Sequence, residues 1–268
     1  MNSAGGGLND VMQYAVVDGI ATLTFNRPAV MNALDPESIV AFRKACERME
    51  HDTQARAAVL RGAGPAFLAG GDVASFKKNL PHASVLVDAM AGELHRGILA
   101  LRRAPKPVIA SVHGAVAGAG MSIMLACDLV VAAEGTKFNM AYSRIATSPD
   151  GGASWFLPRA AGYQKAMELL LLSDSVDAAA LQAMGIVNRV VPAAELASAT
   201  AALAQRLAAG PALAYAEIKA LVNASQKRAL DEHLAAEVRA FARCAAHADF
   251  SEGVTAFVEK RKAVYSVK

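Results

Sequence analysis

One carboxylate, Asp150, stands between a proline and two glycines in the stretch "SPDGGASW" (residues 148–155). A carboxylate held beside a substrate can accept a proton from one atom and return it to another. The Pro-Asp-Gly sequence also favours a tight turn, and aspartate is a good cap for a following helix. From these residues alone, an acid–base role and a turn or cap role both stay open.

Two glycine-rich loops stand before predicted helices, "FLAGGD" (residues 67–72) and "AGAGMS" (residues 117–122). Glycine before a helix lets backbone N–H groups come close to a ligand oxygen. Such donors can stabilise the negative oxygen that forms when a proton leaves the carbon beside a thioester carbonyl. Tight turns and close helix packing explain the same glycines, so neither loop is a specific signal alone.

Motifs for several other chemistries fit poorly. The loop at Gly118 lacks the third small residue of a dinucleotide fingerprint, because Ile123 stands there, and no GK[ST] follows a glycine loop. The run "GMSIM" departs from the nucleophile elbow at Met124, so Ser122 is a weak candidate for a hydrolase nucleophile. The six histidines and three cysteines are scattered, and we expect neither a metal site nor a disulfide framework.

Strands and helices are predicted to alternate up to about residue 190. The dipeptide Asp18-Gly19 lies within an alternating apolar run from Tyr14 to Phe25, which is typical of a β-hairpin. Further strands are predicted at residues 57–60, 107–112, 128–132 and 186–191, and helices at residues 36–50, from 72, at 85–102 and from about 121. This recurrence of strand, glycine loop and helix predicts an α/β fold.

The pattern becomes almost entirely helical and alanine-rich after Gly151. Pro211 predicts the start of one helix, and Asp231 or Asp249 is a candidate cap for others. Helices that cannot bury their apolar faces alone are expected to pack on the core or on another subunit. We therefore predict a flexible tail at residues 1–12, an α/β core with the site at 13–195 and a helical region at 196–268.

Composition and charge argue against several classes of protein. The 268 residues are 54% hydrophobic and 19% charged, with a formal net charge of +3, so the chain can bury a sizeable core. No apolar run is long enough for a transmembrane helix, and the N-terminus lacks a secretory pattern. The three separated cysteines, without a disulfide framework, indicate a reducing cytoplasm. Its basic residues are spread without a stacking array of aromatics, which argues against nucleic acid as a partner.

Several longer motifs occur in one order along the chain: "NRPAVMNAL", "AFLAGGDVASF", "HGAVAGAGMSIMLACDLVVAA", "SPDGGASWFLPRAAG", "AMGIVNRVVP" and "FVEKRKA". Together they resemble the crotonase superfamily, the enoyl-CoA hydratase/isomerase family, from about Tyr14 to Lys262. The resemblance implies a spiral of ββα turns followed by helices used in trimer assembly, often as a dimer of trimers. It also implies an acyl thioester of coenzyme A as substrate, with no tightly bound cofactor.

The same resemblance implies an oxyanion hole made of two backbone N–H groups. They fall on Ala69 and, in the loop that contains Gly118, on Ala119. Most members of the family have glycine at the position of Ala119. Alanine keeps the N–H group but narrows the allowed backbone angles.

Two glutamates serve the family's hydratases, and their positions here are Ser122 and Tyr142. Neither side chain is a good base near neutral pH, so a hydratase with two carboxylates is in doubt. We expect Tyr142 to line the acyl pocket or donate a hydrogen bond, with core packing as the alternative. Ser122 is a candidate pocket residue that could instead begin a helix or contact solvent.

Asp150 falls where isomerases of the family have an aspartate that can face the reacting carbons. The pattern around it is similar to that of single-aspartate isomerases of enoyl-CoA and epoxyphenylacetyl-CoA from phenylacetate breakdown. A double-bond shift needs one base, which removes a proton from one carbon and returns it to another while the oxyanion hole holds the dienolate. The resemblance therefore favours the catalytic interpretation of Asp150.

Further contacts with coenzyme A are implied at both ends of the chain. Lysine at the position of Lys260 reaches the phosphates of coenzyme A in the family, often from a neighbouring subunit, and Phe257 is expected on the same helical face. A solvated charge run is the alternative for Lys260. The resemblance places the adenine end near the following residues: Ala29, Gly71, Asp72 and Val73.

Three functions remain open at this point. The first is an acyl-CoA isomerase that uses Asp150, and the second is a hydratase of the same fold. The third is a family member without catalysis that binds coenzyme A or RNA, which the loss of both glutamates and the pI of about 8.8 keep open. The acyl group and the pathway do not follow from the sequence.

Overall fold

Two β-sheets form the centre of the molecule. The structure is a computed structural model and describes residues 10–265. The six-stranded sheet has the order β1 (Met12–Val17), β2 (Ile20–Phe25), β3 (Ala57–Gly62), β4 (Val108–Val112), β6 (Leu129–Ala133) and β9 (Arg189–Val191), and the three-stranded sheet has the order β5 (Ala115–Ala117), β7 (Lys137–Asn139) and β8 (Val176–Asp177). In the larger sheet only the β1–β2 pair is antiparallel.

Helices cover the sheets and form the C-terminal region. They are α1 (Pro36–His51), α2 (Val73–Lys78), α3 (Ala83–Arg103), α4 (Ala119–Ala126), α5 (Ala153–Ala161), α6 (Tyr163–Leu172), α7 (Ala178–Ala183), α8 (Leu196–Ala208), α9 (Ala212–Ser225), α10 (Leu230–Ala245) and α11 (Ala248–Val258). Short 3-10 turns lie at Pro28–Val30, Leu80–His82, Tyr142–Ile145 and Ala193–Glu195.

The chain visits the two sheets in turn, which produces a spiral. After β4 it adds β5 to the small sheet and then forms α4, and after β6 it adds β7 before α5. Two isolated bridges repeat this path earlier in the chain, because Leu34 pairs with Gly71 after β2 and Leu68 pairs with Val116 after β3. The predicted spiral of ββα turns is confirmed.

The N-terminal hairpin forms at the predicted turn. Asp18 and Gly19 both have positive φ angles, 50° and 75°, as a two-residue hairpin turn of the primed type requires. The predicted end of the tail is wrong, because Met12 is fully buried and begins β1 opposite Phe25. Residues 1–9 of that predicted tail lie outside the part of the chain that the structure describes.

The core consists of the parallel strands and the helices on both faces of the large sheet. All five residues of β4 are buried, as expected for a parallel strand covered on both sides. Helices α1 and α3 pack closely, because Gly97 of α3 has no side chain. A Cβ at this position would lie 2.7 Å from the ring of Phe42 in α1. On the opposite face α8 packs through Leu203 and Ala204 onto Val59 and Ile109.

Several predicted boundaries differ from the structure. Helix α4 begins at Ala119 rather than near residue 121, because Gly118 is its N-cap. The strand predicted at 186–191 is shorter, since the N–H groups of Ile186 and Val187 bind the Leu181 carbonyl at the end of α7.

Neither predicted C-terminal cap is correct. Asp231 and Asp249 lie in the first turns of α10 and α11, and the caps are Ala229 and His247. The His247 side chain accepts a hydrogen bond from the Asp249 N–H group at 3.2 Å.

The C-terminal helices leave much apolar surface uncovered in the single chain. Helix α10 packs on α9 and α11. Their exposed apolar side chains include Ile218, Val222, Leu230, Leu234, Val238, Phe241, Val254, Phe257 and Val258. Within residues 10–265, no helix combines the length and the apolar character that a membrane crossing requires.

A buried lysine joins α9 to the core. Lys219 Nζ donates to the carbonyl oxygens of Leu101 at 2.8 Å and Lys106 at 3.1 Å, and to Asp128 Oδ2 at 2.7 Å. The Leu101 carbonyl belongs to the last turn of α3, where helix carbonyls lack partners within the helix. Burial lowers the pKa of Lys219, and Asp128 opposes that shift.

Replacing this lysine tests how the C-terminal helices are attached. We expect Lys219→Ala to lower the free energy of unfolding by about 3 kcal/mol, because it leaves two carbonyls without their donor and removes the lysine charge from the partly buried Asp128 carboxylate, which keeps the Val108 N–H as a donor. Urea unfolding followed by circular dichroism measures this change. The exposed Lys227 of the segment after α9 is the control, and Lys227→Ala should change stability by less than about 0.5 kcal/mol.

Candidate active site

The two glycine loops meet where the small sheet ends. The Leu68 N–H donates to Ala115 O at 3.2 Å, and the Ala117 N–H donates to Leu68 O at 3.0 Å. A Cβ on Gly118 would lie 3.7 Å from Gly70 Cα, so the two loops approach at backbone distance. Gly70 and Gly118 have φ angles of 102° and 50°, which side-chain-bearing residues rarely adopt.

A buried asparagine from the first motif supports the loop that precedes Gly70. The Asn32 side-chain amide donates to the carbonyl oxygens of Ala66 at 2.8 Å and Ala63 at 2.9 Å. Asn32 is 2% exposed, so these bonds form inside the protein and hold the loop rigidly. This explains why "NRPAVMNAL" occurs together with "AFLAGGDVASF", although the two segments are distant along the chain.

The N–H group of Ala69 is not available to a substrate oxygen. It donates to Met31 O at 3.0 Å, so the expectation that it forms half of the oxyanion hole is wrong. Gly70 O accepts from the Leu34 N–H at 2.8 Å. Because C=O and N–H point in opposite directions across a trans peptide, the Gly71 N–H points away from Leu34. Among residues 10–265 it has no acceptor.

The second expected donor, Ala119, lies at the start of α4. Its N–H is the first of the helix and has no acceptor within the helix. Gly118 O accepts from the Ser122 N–H at 3.2 Å, so the Ala119 N–H points out of the helix N-terminus. The partial positive charge at that terminus favours a negative oxygen in front of it.

Asp150 lies beside α4 and is held by two hydroxyl groups. The Tyr142 hydroxyl donates to Asp150 Oδ1 at 2.6 Å. The hydroxyls of Tyr142 and Ser122 are 2.8 Å apart, and Ser122 Oγ lies 3.0 Å from the Asp150 carbonyl oxygen. Ser122 is three residues beyond Ala119, on the neighbouring turn of the same helix face, at about 5–6 Å between Cβ atoms. The structure therefore brings Asp150, Tyr142, Ser122 and Ala119 together.

The turn after Asp150 is packed tightly against the core. Gly151 has a φ angle of 59°, and a Cβ there would lie 2.8 Å from Ser122 Cβ and 3.3 Å from Ile98 Cδ1. The Gly151 N–H donates to His95 Nε2 at 3.2 Å. Sequence reasoning missed His95, because nothing local connects a residue of α3 with a turn 56 positions further along the chain.

Tyr142 is a hydrogen-bond donor rather than a base. It is 8% exposed, and burial, followed by the negative charge of Asp150, raises the pKa of its hydroxyl far above the usual value. The phenol therefore stays protonated across the physiological pH range. This agrees with the sequence-based expectation that Tyr142 cannot activate water.

Ser122 does not reach solvent, contrary to one expectation from sequence. It is fully buried, and its hydroxyl is used by Tyr142 and Asp150. A bound molecule could touch it only if this group of side chains moved apart. In this structure Ser122 supports the Asp150 turn. It has no exposed surface with which to make the predicted contact with substrate.

The residues expected near the adenine end lie around the Gly70 loop. Ala29 is exposed in the 3-10 turn that leads to Met31, the acceptor of the Ala69 N–H. Val73 is 52% exposed at the start of α2. Asp72 caps α2, because its Oδ1 accepts from the Ser75 N–H at 3.2 Å, and its carboxylate therefore already has a structural role.

The two C-terminal candidates are placed differently from the prediction. Phe257 is 85% exposed near the end of α11, which packs on α10. Lys260 is not on the same helical face, because α11 ends at Val258 and Lys260 has a φ angle of 55° just beyond it. Phe257 lines an apolar cavity of about 410 Å³ among α9, α10 and α11, away from the Asp150 turn.

No group of three or more histidine, cysteine, aspartate or glutamate side chains in the described part of the chain is arranged to hold a metal ion. The groups gathered at this site that can take part in chemistry include the Asp150 carboxylate, the two hydroxyls, the His95 imidazole and the backbone donors of the two loops.

Comparisons with known proteins agree on one family. A model of the enoyl-CoA hydratase/isomerase family matches residues 16–268. The chain is 37% identical over 254 residues to a probable enoyl-CoA hydratase of Rhodobacter capsulatus, covering 93% of this chain and 95% of that protein. It is 36% identical over 258 residues to 1,2-epoxyphenylacetyl-CoA isomerase of Escherichia coli, covering 94% and 97%. The crystal structure of an enoyl-CoA hydratase from Polaromonas sp. JS666 has a TM-score of 0.90 at 37% identity and covers 95% of this chain and 99% of that one.

The chain therefore belongs to the enoyl-CoA hydratase/isomerase family of the crotonase superfamily. The family and the fold predicted from the motifs are both confirmed. The protein is an acyl-CoA enzyme of this family, whose members act on thioesters of coenzyme A.

The packing at Gly151 gives a test of the site that does not change a polar group. We expect Gly151→Ala to reduce turnover of an enoyl thioester at least about tenfold, because the new methyl would push the Asp150 turn off Ser122. Gly135→Ala is the matched control, since Gly135 also has a positive φ angle, 80°, but a methyl group added there would meet no atom within 4 Å. Both variants should lose about 1–3 kcal/mol of stability through backbone strain. Equal activities of the two variants would contradict the proposed packing role.

Proposed function

We propose that this protein is an acyl-CoA isomerase that shifts a double bond through an enolate, with Asp150 as the single acid and base. One observation carries this proposal: among the described residues, the side chains that hydrogen-bond to Asp150 itself, Ser122 and Tyr142, carry hydroxyl groups and no second carboxylate. One proton carrier suffices for a double-bond shift. Hydration by two carboxylates would require a second acid where these hydroxyls stand.

The oxyanion hole is proposed to consist of the N–H groups of Gly71 and Ala119. Gly71 takes the role expected of Ala69, because the Ala69 N–H is bonded to Met31. Two such donors aimed at the thioester oxygen stabilise the charge that develops as the proton leaves, and removing one typically costs about 3 kcal/mol. The close approach of Gly70 and Gly118 supports this pairing, since it brings the two loops to one place.

The proposed reaction moves a proton and no net electrons. Asp150 accepts a proton from a carbon of the acyl chain, and the electron pair of that C–H bond moves into a dienolate held by Gly71 and Ala119. The same carboxyl then returns the proton to another carbon, which re-forms the thioester carbonyl with the double bond in its new position. Removal and return by one residue require that it lie within reach of both carbons.

Hydration is the second candidate function. The relative from Rhodobacter capsulatus is named as a probable hydratase, and it is about as similar to this chain as the isomerase from Escherichia coli. Asp150 could activate a water molecule in such a reaction. The isomerase is preferred here because the raised pKa of Tyr142 makes its phenol a poor acid and base near neutral pH, and its hydrogen is already donated to Asp150 Oδ1. A binding protein without catalysis is the remaining outcome of the test below.

The remaining contacts with coenzyme A are proposed from position and exposure. Ala29 and Val73 offer exposed surface next to the Gly71 loop and are proposed to flank the adenine. Lys260 is exposed and is proposed to reach a phosphate, with Phe257 beside the ligand. The family resemblance suggests that this contact is made to a neighbouring subunit.

Assembly into a trimer or a dimer of trimers is proposed from the exposed apolar side chains of α9, α10 and α11. Phe241 and Val238 are 68% and 69% exposed in the single chain, which is unusual for large apolar groups near one another. A cytoplasmic location remains a proposal from the sequence.

The reaction is tested with two thioesters and one substitution. We expect the protein to increase enoyl-thioester absorbance with a 3-enoyl-CoA and to leave crotonyl-CoA unchanged. We expect Asp150→Asn to lower kcat by about 10²–10⁴-fold while the affinity for coenzyme A esters stays nearly the same, because the amide cannot accept the proton. The exposed Asp174 is the control, and Asp174→Asn should retain full activity.

Each other result has a definite meaning. Loss of absorbance from crotonyl-CoA would indicate hydration instead. Binding of both thioesters without turnover, or salt-dependent binding of RNA without thioester binding, would indicate a non-catalytic protein. An Asp150→Asn variant with full isomerase activity would remove Asp150 from the mechanism.

Light scattering tests the assembly. We expect a molar mass near three or six times 27.8 kDa, and a lower mass for Phe241→Asp, because a charge in an apolar interface is costly. Val17→Asp is the control, since Val17 is 66% exposed on the N-terminal hairpin. A wild-type mass of a single chain would contradict the trimer.

A further inference from the structure

We propose that Tyr142, supported by Ser122, is a positioning residue that holds Asp150 so that one carboxylate oxygen, Oδ2, carries the proton in both directions. This inference rests on the proposed isomerase function and assigns the role of the two side chains that contact the base. Tyr142 acts through Asp150 and touches neither the substrate nor the oxyanion in this scheme.

The two oxygens of Asp150 have different surroundings. Oδ1 accepts a hydrogen bond of 2.6 Å from the Tyr142 hydroxyl. In the described part of the chain Oδ2 has no donor, and Asp150 is only partly buried. A short bond from a buried phenol fixes the orientation of the carboxyl group, so that the free oxygen is the one presented outward.

The number of hydroxyl hydrogens available for donation supports this arrangement. The only hydrogen of the Tyr142 hydroxyl is used for Oδ1, so Ser122 must supply any hydrogen between the two hydroxyls. Ser122 Oγ is 2.8 Å from the Tyr142 hydroxyl and 3.0 Å from the Asp150 carbonyl oxygen, and it can donate to either. Ser122 has no solvent-exposed surface, so its donor must be satisfied inside the protein, and these two acceptors are closer than the Gly118 carbonyl oxygen at 3.5 Å.

The same hydrogen bonds serve both states of the base. When Asp150 is ionised, Tyr142 donates to Oδ1. When Oδ2 has taken the proton from carbon, Oδ1 is the carbonyl oxygen of the acid and still accepts from Tyr142. The C–H bond breaks as the Oδ2–H bond forms, and the reverse occurs at the second carbon. No hydroxyl has to reorient between the two steps, which is the condition for a preorganised site.

Tyr142 is the side chain that contacts the carboxylate itself. Two other side chains pack on the Asp150–Gly151 turn: Ser122 from α4, whose hydroxyl lies 3.0 Å from the Asp150 carbonyl oxygen, and His95 from α3, whose Nε2 accepts from the Gly151 N–H. Of the three, only Tyr142 donates to the carboxylate, so its loss should release the orientation of Oδ2.

The test compares two tyrosines that donate to an aspartate. Tyr142→Phe should lower kcat by about 10–100-fold with KM for the thioester within twofold. Tyr14→Phe is the control, because the Tyr14 hydroxyl donates to Asp52 Oδ2 at 2.8 Å on the N-terminal hairpin, away from the Asp150 turn. Tyr14→Phe should leave kcat and KM unchanged.

The outcomes separate this inference from the proposed function. Wild-type protein without isomerase activity would end the proposed function, and with it this inference. Active wild-type protein and inactive Asp150→Asn, together with Tyr142→Phe that keeps the wild-type kcat, would overturn this inference alone. If Tyr142→Phe does not fold, Ser122→Ala replaces it, with a smaller loss of kcat at unchanged KM expected. A Ser122→Ala variant with wild-type kcat would then overturn the proposal.

Discussion

The contact between the Gly70 loop and the Gly118 loop is the constraint on which the site depends. It exists because consecutive turns of the spiral place strands side by side in the small sheet, where Leu68 pairs with Val116. Main-chain hydrogen bonds set the separation of the loops, and glycine lets them approach at backbone distance. This contact brings the loop that contains Gly71 close to the loop that begins α4.

Two buried hydroxyl groups lie beside the partly buried Asp150. Ser122 and Tyr142 are both buried, and an unpaired hydroxyl there would be costly. The two hydroxyls bond to each other and to Asp150, so that each is satisfied and the turn is held against α4. A charge at Ser122 would have no solvent and little space, because the Gly151 backbone lies against it. This packing agrees with the proposal that Asp150 is the single acid and base.

The C-terminal helices leave more of their apolar side chains exposed than the core helices do. Helix α8 covers the large sheet, and Lys219 fastens α9 to the end of α3 through three acceptors. Beyond that point, α10 and α11 turn apolar side chains outward instead of into the chain's own core. Such a surface suits contact with further copies of the chain, which agrees with the proposed assembly and with a ligand contact made from a neighbouring subunit.

Local patterns in the sequence determined much of the fold. The hairpin at Asp18-Gly19, the parallel strands and the helices that begin after proline or glycine follow from turn chemistry and periodicity, which act over a few residues. The order of the motifs identified the family and marked Asp150, Tyr142 and Ser122 as positions of interest. These patterns do not show in which direction each backbone N–H group points. Whether the Ala69 or the Gly71 N–H is free depends on which way each peptide faces across the bridge to Leu34.

Only the tertiary structure decided how the side chains of the site are connected. The bond from Tyr142 to Asp150, the burial of Ser122 behind them and the contact from His95 join segments that are far apart in sequence. The end of α11 before Lys260 was likewise misjudged, because a charge run gives no signal for a left-handed residue. Residue type and spacing can predict which groups are able to do chemistry. Which atoms they present, and which they use to hold one another, is set by packing between distant parts of the chain.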